Sequence, residues 1–175
     1  LFLIDSLRMG GAEKVTIEIV NQLAKRSIDP LVVVVNREND SPILLERLDQ
    51  SVRVLNLSIG RLLDLRWISA LIKIVKAEQV KLIHAQLQDA TIMAAVVSAI
   101  TRIPMVVTRH IVEEDRSNWR RVLRTNLEMF VIRRQATRLI AVSDAAKEQY
   151  IKEAGLDPGK CLTIYNGINT KKYSG

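Results

Sequence analysis

The chain has little cysteine, few aromatic residues and no long apolar run. Cys161 is the only cysteine, which excludes an internal disulfide and a metal site built from several cysteines. A reducing compartment fits this composition, and we expect a cytoplasmic protein that can reach the inner face of the cytoplasmic membrane. Aromatic residues make up 4% of the chain, too few for the stacking platforms of single-strand nucleic-acid binders. No apolar run approaches the roughly 20 residues that a membrane-spanning helix needs.

The charge of the chain is one-sided. Its 26 lysines and arginines outnumber 19 aspartates and glutamates, so the formal net charge is +7. Such an excess favours anionic partners, namely nucleotides, phosphates, acidic lipid surfaces or nucleic acid, without choosing among them. Interleaved acidic residues count against a nucleic-acid partner. At 175 residues the chain is long enough for one domain with a full core.

Short apolar runs alternate with helical patterns along the whole chain. The predicted strands are residues 1–4, 31–35, 52–55, 82–85, 105–108, 139–142 and 162–165. Strands that alternate with helices indicate a parallel sheet covered by helices on both faces. The predicted fold is therefore α/β: a doubly wound, mostly parallel seven-stranded sheet of the Rossmann-like kind. The third strand is short and is expected near an edge.

In such sheets the ligand lies beyond the carboxyl ends of the strands. The loops expected to line a site are therefore residues 6–12, 85–88, 109–117 and 143–144. Ser143 is expected to cap the helix that follows the sixth strand, and Gly155 to end that helix. From their positions at this edge we assign Glu13, Gln86 and Ser143 to substrate binding.

The first loop carries a double glycine, Gly10-Gly11, before an amphipathic helix. Uncovered N–H groups at a helix start can bind an anion, although many such turns contain glycine only to turn the chain. Glu13 is placed on the polar side of this helix, where the helix dipole stabilises a carboxylate. The chain has no dinucleotide fingerprint, no phosphate-binding loop, no serine nucleophile elbow and no His-Glu-x-x-His pair.

A second amphipathic helix is predicted over residues 117–134. Its apolar face, expected to cover the sheet, contains Trp119, Val122, Leu123, Leu127 and Phe130. Arginines on the opposite side can contact an anionic membrane surface. The arginines assigned to that contact are Arg116, Arg120, Arg121 and Arg124.

Five segments, in order, resemble the N-terminal, acceptor-side half of a GT-B glycosyltransferase, most closely the retaining family 4. They are Gly10-Gly11-Ala12-Glu13, His84, Thr108-Arg109-His110, residues 137–143 and residues 164–169. The resemblance implies a sugar-nucleotide-dependent transferase that moves a hexose-type unit to a hydroxyl of a glycan or glycolipid. Polysaccharide or lipopolysaccharide biosynthesis is the implied setting.

The resemblance also implies roles for individual residues. Gly10 and Gly11 would lie against the diphosphate and the acceptor, and His110 would be the catalytic residue that approaches the donor sugar. His84 is more simply read as structural, and Gln86 stands where the family often has a second histidine. No cofactor and no metal is implied, only a nucleoside diphosphate sugar as co-substrate.

The domain prediction follows from the same resemblance. Residues 1–165 form the acceptor-binding domain, and residues 166–175 begin a linker to a C-terminal donor-binding domain that this sequence lacks. The isolated chain is therefore expected to be inactive. The alternative is a non-catalytic Rossmann-like module that binds a phosphorylated ligand or a protein partner.

Overall fold

The computed structural model describes residues 1–36, 40–58, 62–110 and 119–167. The strands are β1 (Phe2–Ile4), β2 (Leu31–Val34), β3 (Arg53–Asn56), β4 (Ile83–Gln86), β5 (Met105–Arg109), β6 (Ala136–Ala141) and β7 (Cys161–Thr163). The helices are α1 (Gly11–Ala24), α2 (Pro42–Leu45), α3 (Arg66–Ala77), α4 (Gln88–Thr101), α5 (Trp119–Gln135) and α6 (Asp144–Ala154), with a 3₁₀ turn at Pro158–Lys160. Only the short helix α2 was not foreseen, because four residues are too few for a periodic pattern.

The seven strands form one sheet in the order β3-β2-β1-β4-β5-β6-β7, and every pairing is parallel. The predicted fold is confirmed, with β3 at an edge as expected. The chain builds outward from β1 to β3, then returns to the other side of β1 with β4. The gap between β1 and β4 is thus the topological switch point, where doubly wound sheets open a crevice at their carboxyl edge.

Helices cover both faces of the sheet. Alternate residues of β1 and β2 pack against α1 and α2, through Phe2, Ile4, Val32 and Val34. The other set of strand residues packs with α3, α4, α5 and α6, and Leu3 and Val33 lie at its centre. Strands β1 and β2 are buried on both faces, which explains why they are apolar without alternation.

One prediction for α1 is wrong. Glu13 was placed on the exposed side of the helix, but it is buried together with Ala12, Thr16, Ile17 and Val20. The buried stripe is rotated toward Glu13 because the first turn of α1 sits over the carboxyl edge of the sheet, where a polar side chain can be enclosed. The Glu13 carboxylate lies beside Gly10.

The prediction for α5 is also wrong. Its proposed core face is largely exposed: Trp119 is 69%, Leu123 61%, Leu127 42% and Phe130 53% accessible. The buried residues are Glu128, Met129 and Ile132 instead, because α5 packs mainly on α4 and presents a different stripe to the core. The guanidinium of Arg120, predicted to point away from that face, lies over the Trp119 ring.

The ends of α6 agree with the prediction. The Ser143 hydroxyl oxygen accepts a hydrogen bond from the Ala146 N–H at 3.2 Å. Gly155 ends the helix with φ of 59°, the left-handed conformation that glycine adopts without a steric penalty. Beyond β7, the Tyr165 hydroxyl donates to Asp144 at 2.5 Å and ties the following segment to the start of α6.

Candidate functional site

Polar side chains gather at the carboxyl edge of the sheet on both sides of the switch point. Asp5 follows β1, Gln86 ends β4 and His110 follows β5. Because the strands are parallel and in register, these positions meet at one edge although they are far apart in sequence. The crevice predicted from the topology is therefore lined by groups able to recognise a polar ligand.

Asp5 binds the start of α4. Its carboxylate accepts hydrogen bonds from the backbone N–H groups of Ala90 at 2.6 Å and Asp89 at 3.2 Å. Leu87, which leads into α4, has φ of 73°, a strained conformation for a branched side chain. This turn at Leu87 comes just before the residues whose backbone N–H groups donate to Asp5. The chain's own carboxylate therefore occupies the anion position at this helix start.

Burial raises the pKa of Asp5 from 3.8 to about 7. The amides of Ala90 and Asp89 lower this pKa, and the nearby Asp89 carboxylate raises it. Asp89 itself forms an ion pair with Arg124 of α5. The edge of the sheet thus holds a carboxyl group that changes its charge near neutral pH.

A cavity of about 340 Å³ opens beside Asp5. Its described lining is Asp5, Ser6, Arg8, Glu13, Val35, Asn36, Leu62, Leu87, Asp89 and Met93. Three carboxyl groups and one guanidinium among these residues suit a ligand rich in hydroxyl groups. A second cavity, of about 150 Å³, lies at the amino ends of β6 and β7, away from the crevice.

The two glycines of the first loop have different surroundings. A Cβ at Gly10 would lie 2.9 Å from the carboxylate carbon of Glu13 and closer still to its Oε2, whereas one at Gly11 would meet open space. The Gly10 N–H donates to the Arg8 carbonyl at 2.8 Å. Close packing against Glu13 thus explains why a residue without a Cβ stands at position 10. Contact of either glycine with a diphosphate stays a prediction, as neither lines the cavity.

A hydrogen-bonded chain joins β4 to the residue after β5. The Thr108 Oγ1 lies 2.7 Å from His84 Nε2, and Gln86 Nε2 lies 3.1 Å from the same nitrogen. At its other end, Gln86 Oε1 lies 2.8 Å from His110 Nε2. Two residues predicted to bind substrate, Gln86 and His110, are thus in direct contact.

The surroundings of both histidines favour the neutral imidazole. Burial, the N-terminal amine and the neighbouring His110 together lower the pKa of His84 to about 4. Burial also lowers the pKa of His110. His84 stacks near the Phe2 ring, with centroids 4.8 Å apart, which fits the structural role expected for it. His110 is half-buried at the edge of the crevice.

The remaining predicted residues lie apart from this chain. Ser143 uses its hydroxyl oxygen to cap α6, so ligand binding by Ser143 stays a prediction. Arg120, Arg121 and Arg124 are exposed on α5. Arg116 lies outside the described residues.

The sequence analysis missed two features of this edge. Asp5 is the first polar residue after a buried strand, and that position alone could have identified it. Glu128 is 2% exposed and faces Arg109, whose Nη2 lies 3.4 Å from its Oε2. Gln88 also donates to Glu128 at 3.1 Å. No sequence pattern could have found this network, because it joins α4, β5 and α5.

Two kinds of feature are absent from the described ranges. Within residues 1–36, 40–58, 62–110 and 119–167, no group of three or more His, Cys, Asp or Glu side chains is arranged to hold a metal ion. In the same part of the chain, no helix has both the length and the apolar character required to cross a membrane.

Solved structures share this fold. Anabaena Alr3699/HepE, crystallised in complex with UDP-glucose, is 25% identical with a TM-score of 0.78, and the match covers 98% of this chain and 45% of that one. A glycosyltransferase from Rickettsia africae ESF-5 is 16% identical with a TM-score of 0.71, covering 99% and 44%. The second likeness, at such low identity, shows the fold alone.

A relative found by sequence is also a glycosyltransferase. The UDP-Gal:alpha-D-GlcNAc-diphosphoundecaprenol alpha-1,3-galactosyltransferase of Escherichia coli is 26% identical over 174 residues, which are 95% of this chain and 44% of that enzyme. The chain thus spans less than half the length of these relatives. The sequence model of Glycosyltransferase Family 4 matches residues 9–172. Because this match takes in most of the chain, including Gln86 and His110, the chain belongs to Glycosyltransferase Family 4.

Proposed function

We propose that the chain is the acceptor-side half of a retaining glycosyltransferase. The complete enzyme would move a hexose-type unit from a nucleoside diphosphate sugar to a hydroxyl of a glycan or lipid-linked sugar. The observation that carries this proposal is the polar edge at the switch point, where Gln86 holds His110 beside β4 and Asp5 lines a cavity. A doubly wound sheet binds its ligand at this place.

The comparisons support the proposed substrate classes. One structural neighbour was crystallised with UDP-glucose, and the Escherichia coli relative has a UDP-sugar donor and a diphosphoundecaprenol-linked acceptor in its name. We infer a UDP-sugar donor and a lipid-linked or polysaccharide acceptor for this chain. Retention of configuration is inferred from the family resemblance.

The residues divide between two tasks in this proposal. His110 contacts the donor sugar and stabilises the charge that develops on it, worth a few kcal/mol of the barrier. The cavity beside Asp5, with Glu13 and Arg8, receives hydroxyl groups of the acceptor. A second domain, following the linker that begins near residue 166, would supply most contacts to the nucleotide.

Sugar transfer by the longer protein tests the proposal. We expect transfer from one of a panel of labelled UDP-sugars to a lipid-linked acceptor, with His110→Ala lowering kcat/KM about 100-fold. Gln22→Ala, an exposed polar residue of α1, is the matched control and should leave transfer unchanged. An in-frame stop codon directly after Gly175, or binding of phosphorylated ligands without transfer, would favour the non-catalytic module instead.

We also propose that α5 docks on an anionic membrane, where a lipid-linked acceptor would lie. Its exposed stripe combines Trp119, Leu123 and Phe130 with arginines. The Arg120 and Arg134 guanidinium groups lie 5.4 and 6.0 Å from the Trp119 and Phe130 ring centroids. An apolar stripe edged by cations suits the boundary between acyl chains and anionic headgroups, each cation contributing about 1 kcal/mol.

Vesicle sedimentation tests this docking. We expect the chain to bind vesicles that contain phosphatidylglycerol and to bind neutral phosphatidylcholine vesicles less, with Leu123→Ser plus Phe130→Ser abolishing binding. The control is Ile43→Ser: Ile43 is 52% exposed on α2, on the opposite side of the sheet. Equal binding by the α5 double variant, or self-association in place of vesicle binding, would contradict the proposal.

A further inference from the structure

The Gln86 side chain is fully buried between two imidazole rings, and its two ends have opposite hydrogen-bonding character. A carbonyl oxygen only accepts hydrogen bonds and an amide nitrogen only donates them. With Oε1 facing His110 and Nε2 facing His84, as in the structure, the His110 Nε2 carries a hydrogen and the His84 Nε2 is bare. Turning the amide over would require the opposite tautomer at both rings.

We propose that Gln86 is a positioning residue that fixes the tautomer of His110, so that His110 carries its proton on Nε2 and presents the Nδ1 lone pair to the ligand. The part of this inference that concerns a sugar ligand rests on the proposed function. A free Nδ1 lone pair accepts hydrogen bonds from hydroxyl groups and repels phosphate and carbonyl oxygens. His110 would then accept from a sugar hydroxyl, rather than donate to it.

The far end of the chain is anchored. The Thr108 hydroxyl lies 2.7 Å from His84 Nε2 and, with that nitrogen bare, donates to the lone pair that also accepts from the Gln86 amide. Thr108 and Gln86 are paired positions of neighbouring strands, so the sheet itself sets their spacing. Burial keeps the pKa of His84 near 4, and a neutral His84 with a bare Nε2 agrees with both donors. In this orientation both ends of the Gln86 amide and the Thr108 hydroxyl are paired.

Among the described residues, His84 on β4 is the titratable group that this hydrogen-bonded chain connects to His110. Arg109, the adjacent strand residue, points to the other face of the sheet, where it meets Glu128. Burial lowers the pKa of His110, which keeps its Nδ1 unprotonated over a wider pH range. Protonation of Nδ1 would convert the acceptor into a donor, and Gln86 would accept from Nε2–H in both states.

Nitrogen NMR of the 175-residue chain tests the inference without any assay of activity. In the wild-type chain we expect one His110 tautomer, with a pyrrole-type Nε2 and a pyridine-type Nδ1. The opposite assignment, Nδ1–H, would overturn the proposal. Gln86→Glu places a carboxylate at the same contact, and we expect it to raise the pKa of His110 by about 1 to 3 units. An unchanged His110 pKa in a folded variant would also overturn it.

Thr108→Val is the matched control. It removes the hydroxyl that donates to His84 but leaves the contact between Gln86 and His110. We expect the His84 resonances to move while the His110 tautomer stays. If His110 moved as much as in Gln86→Glu, a general disturbance of the sheet would explain both results. The NMR outcome decides the tautomer, and the transfer assay decides the enzymatic function, so either can fail alone.

Discussion

At the scale of single residues, Asp5 is the most informative side chain of the edge. It stands where the apolar run of β1 ends, and the structure gives it two backbone amides of α4. Burial opposes its ionisation, and its pKa rises from 3.8 to about 7. Because the folded chain holds this proton more tightly than the unfolded chain does, Asp5 contributes stability at low pH. That contribution is lost as the pH rises toward 7.

Asp5→Asn should therefore change the pH dependence of stability. Relative to wild type, the variant should gain about 2 to 3 kcal/mol of unfolding free energy between pH 5 and pH 8. The buried histidines act in the opposite direction, because their lowered pKa values cost stability as the pH falls. Their effect cancels in the difference between variant and wild type. Urea denaturation at pH 5 and at pH 8 measures the difference in unfolding free energy between variant and wild type. An equal difference at the two pH values would contradict this prediction.

The paired glycines give a second prediction at this scale. Gly10→Ala places a Cβ against the Glu13 carboxylate, which must turn aside, and should cost about 0.5 to 1.5 kcal/mol. Gly11→Ala meets open space at the first residue of α1 and should gain at most about 0.5 kcal/mol. Thermal and urea unfolding compare the two variants.

The Gly10 result has its own control. Gly10 has φ of −125°, which any residue can adopt, so the penalty must come from Glu13. Combining Gly10→Ala with Glu13→Ala should recover part of the loss. If the double variant loses as much unfolding free energy as the two single variants together, Glu13 is not the cause.

At the scale of elements, α5 is held by polar contacts as much as by apolar ones. Glu128 meets Arg109 of β5 and Gln88 of α4 in a buried position, while Arg109 also lies 5.2 Å from the Tyr150 ring centroid. Met129 and Ile132 complete the buried stripe. Trp119, Leu123, Leu127 and Phe130 stay exposed because this polar network fixes the rotation of the helix.

Glu128→Gln should destabilise the chain by about 3 kcal/mol, because it removes the charge of a buried carboxylate that is paired with the Arg109 guanidinium. The comparison is Glu78→Gln, which breaks the exposed pair between Glu78 and Arg53. Solvent screens that pair, so its loss should change stability far less. Urea unfolding of both variants checks the contrast, and similar losses would show that burial of the network is unimportant.

At the scale of the whole molecule, the proposed function makes the sheet one wall of a cleft. The polar edge, the cavity and His110 all lie at the carboxyl ends of the strands. The chain covers less than half of each relative described above. A wall of this kind can position an acceptor, whereas the proposed second domain would hold most of the donor.

The 175-residue chain alone should therefore show negligible sugar transfer. Without the opposite wall, the donor diphosphate lacks most of its binding groups, and the reacting atoms are not held in place. A labelled transfer assay with the chain and with the longer protein, at equal concentration, measures the difference. Comparable turnover by the two would show that this half holds a complete active site.

The periodicity of the sequence was enough to predict the class of fold. Runs such as Leu31–Val34 are apolar without alternation, which only a strand buried on both faces explains. The ends of α6 were also predictable from the local sequence, because Ser143 and Gly155 cap the helix that they flank. The positions of Gln86 and His110 at strand ends followed from the same reasoning.

Contacts between distant elements were decided by the tertiary structure. The sequence by itself determined where strands and helices form, because hydrophobic spacing and caps act within a few residues. The strand order, the burial of Glu13, the rotation of α5 and the hydrogen bonds of Asp5 and Gln86 depend on which elements become neighbours. A side chain finds such partners only after the sheet has assembled, since burial removes the water that would otherwise satisfy it.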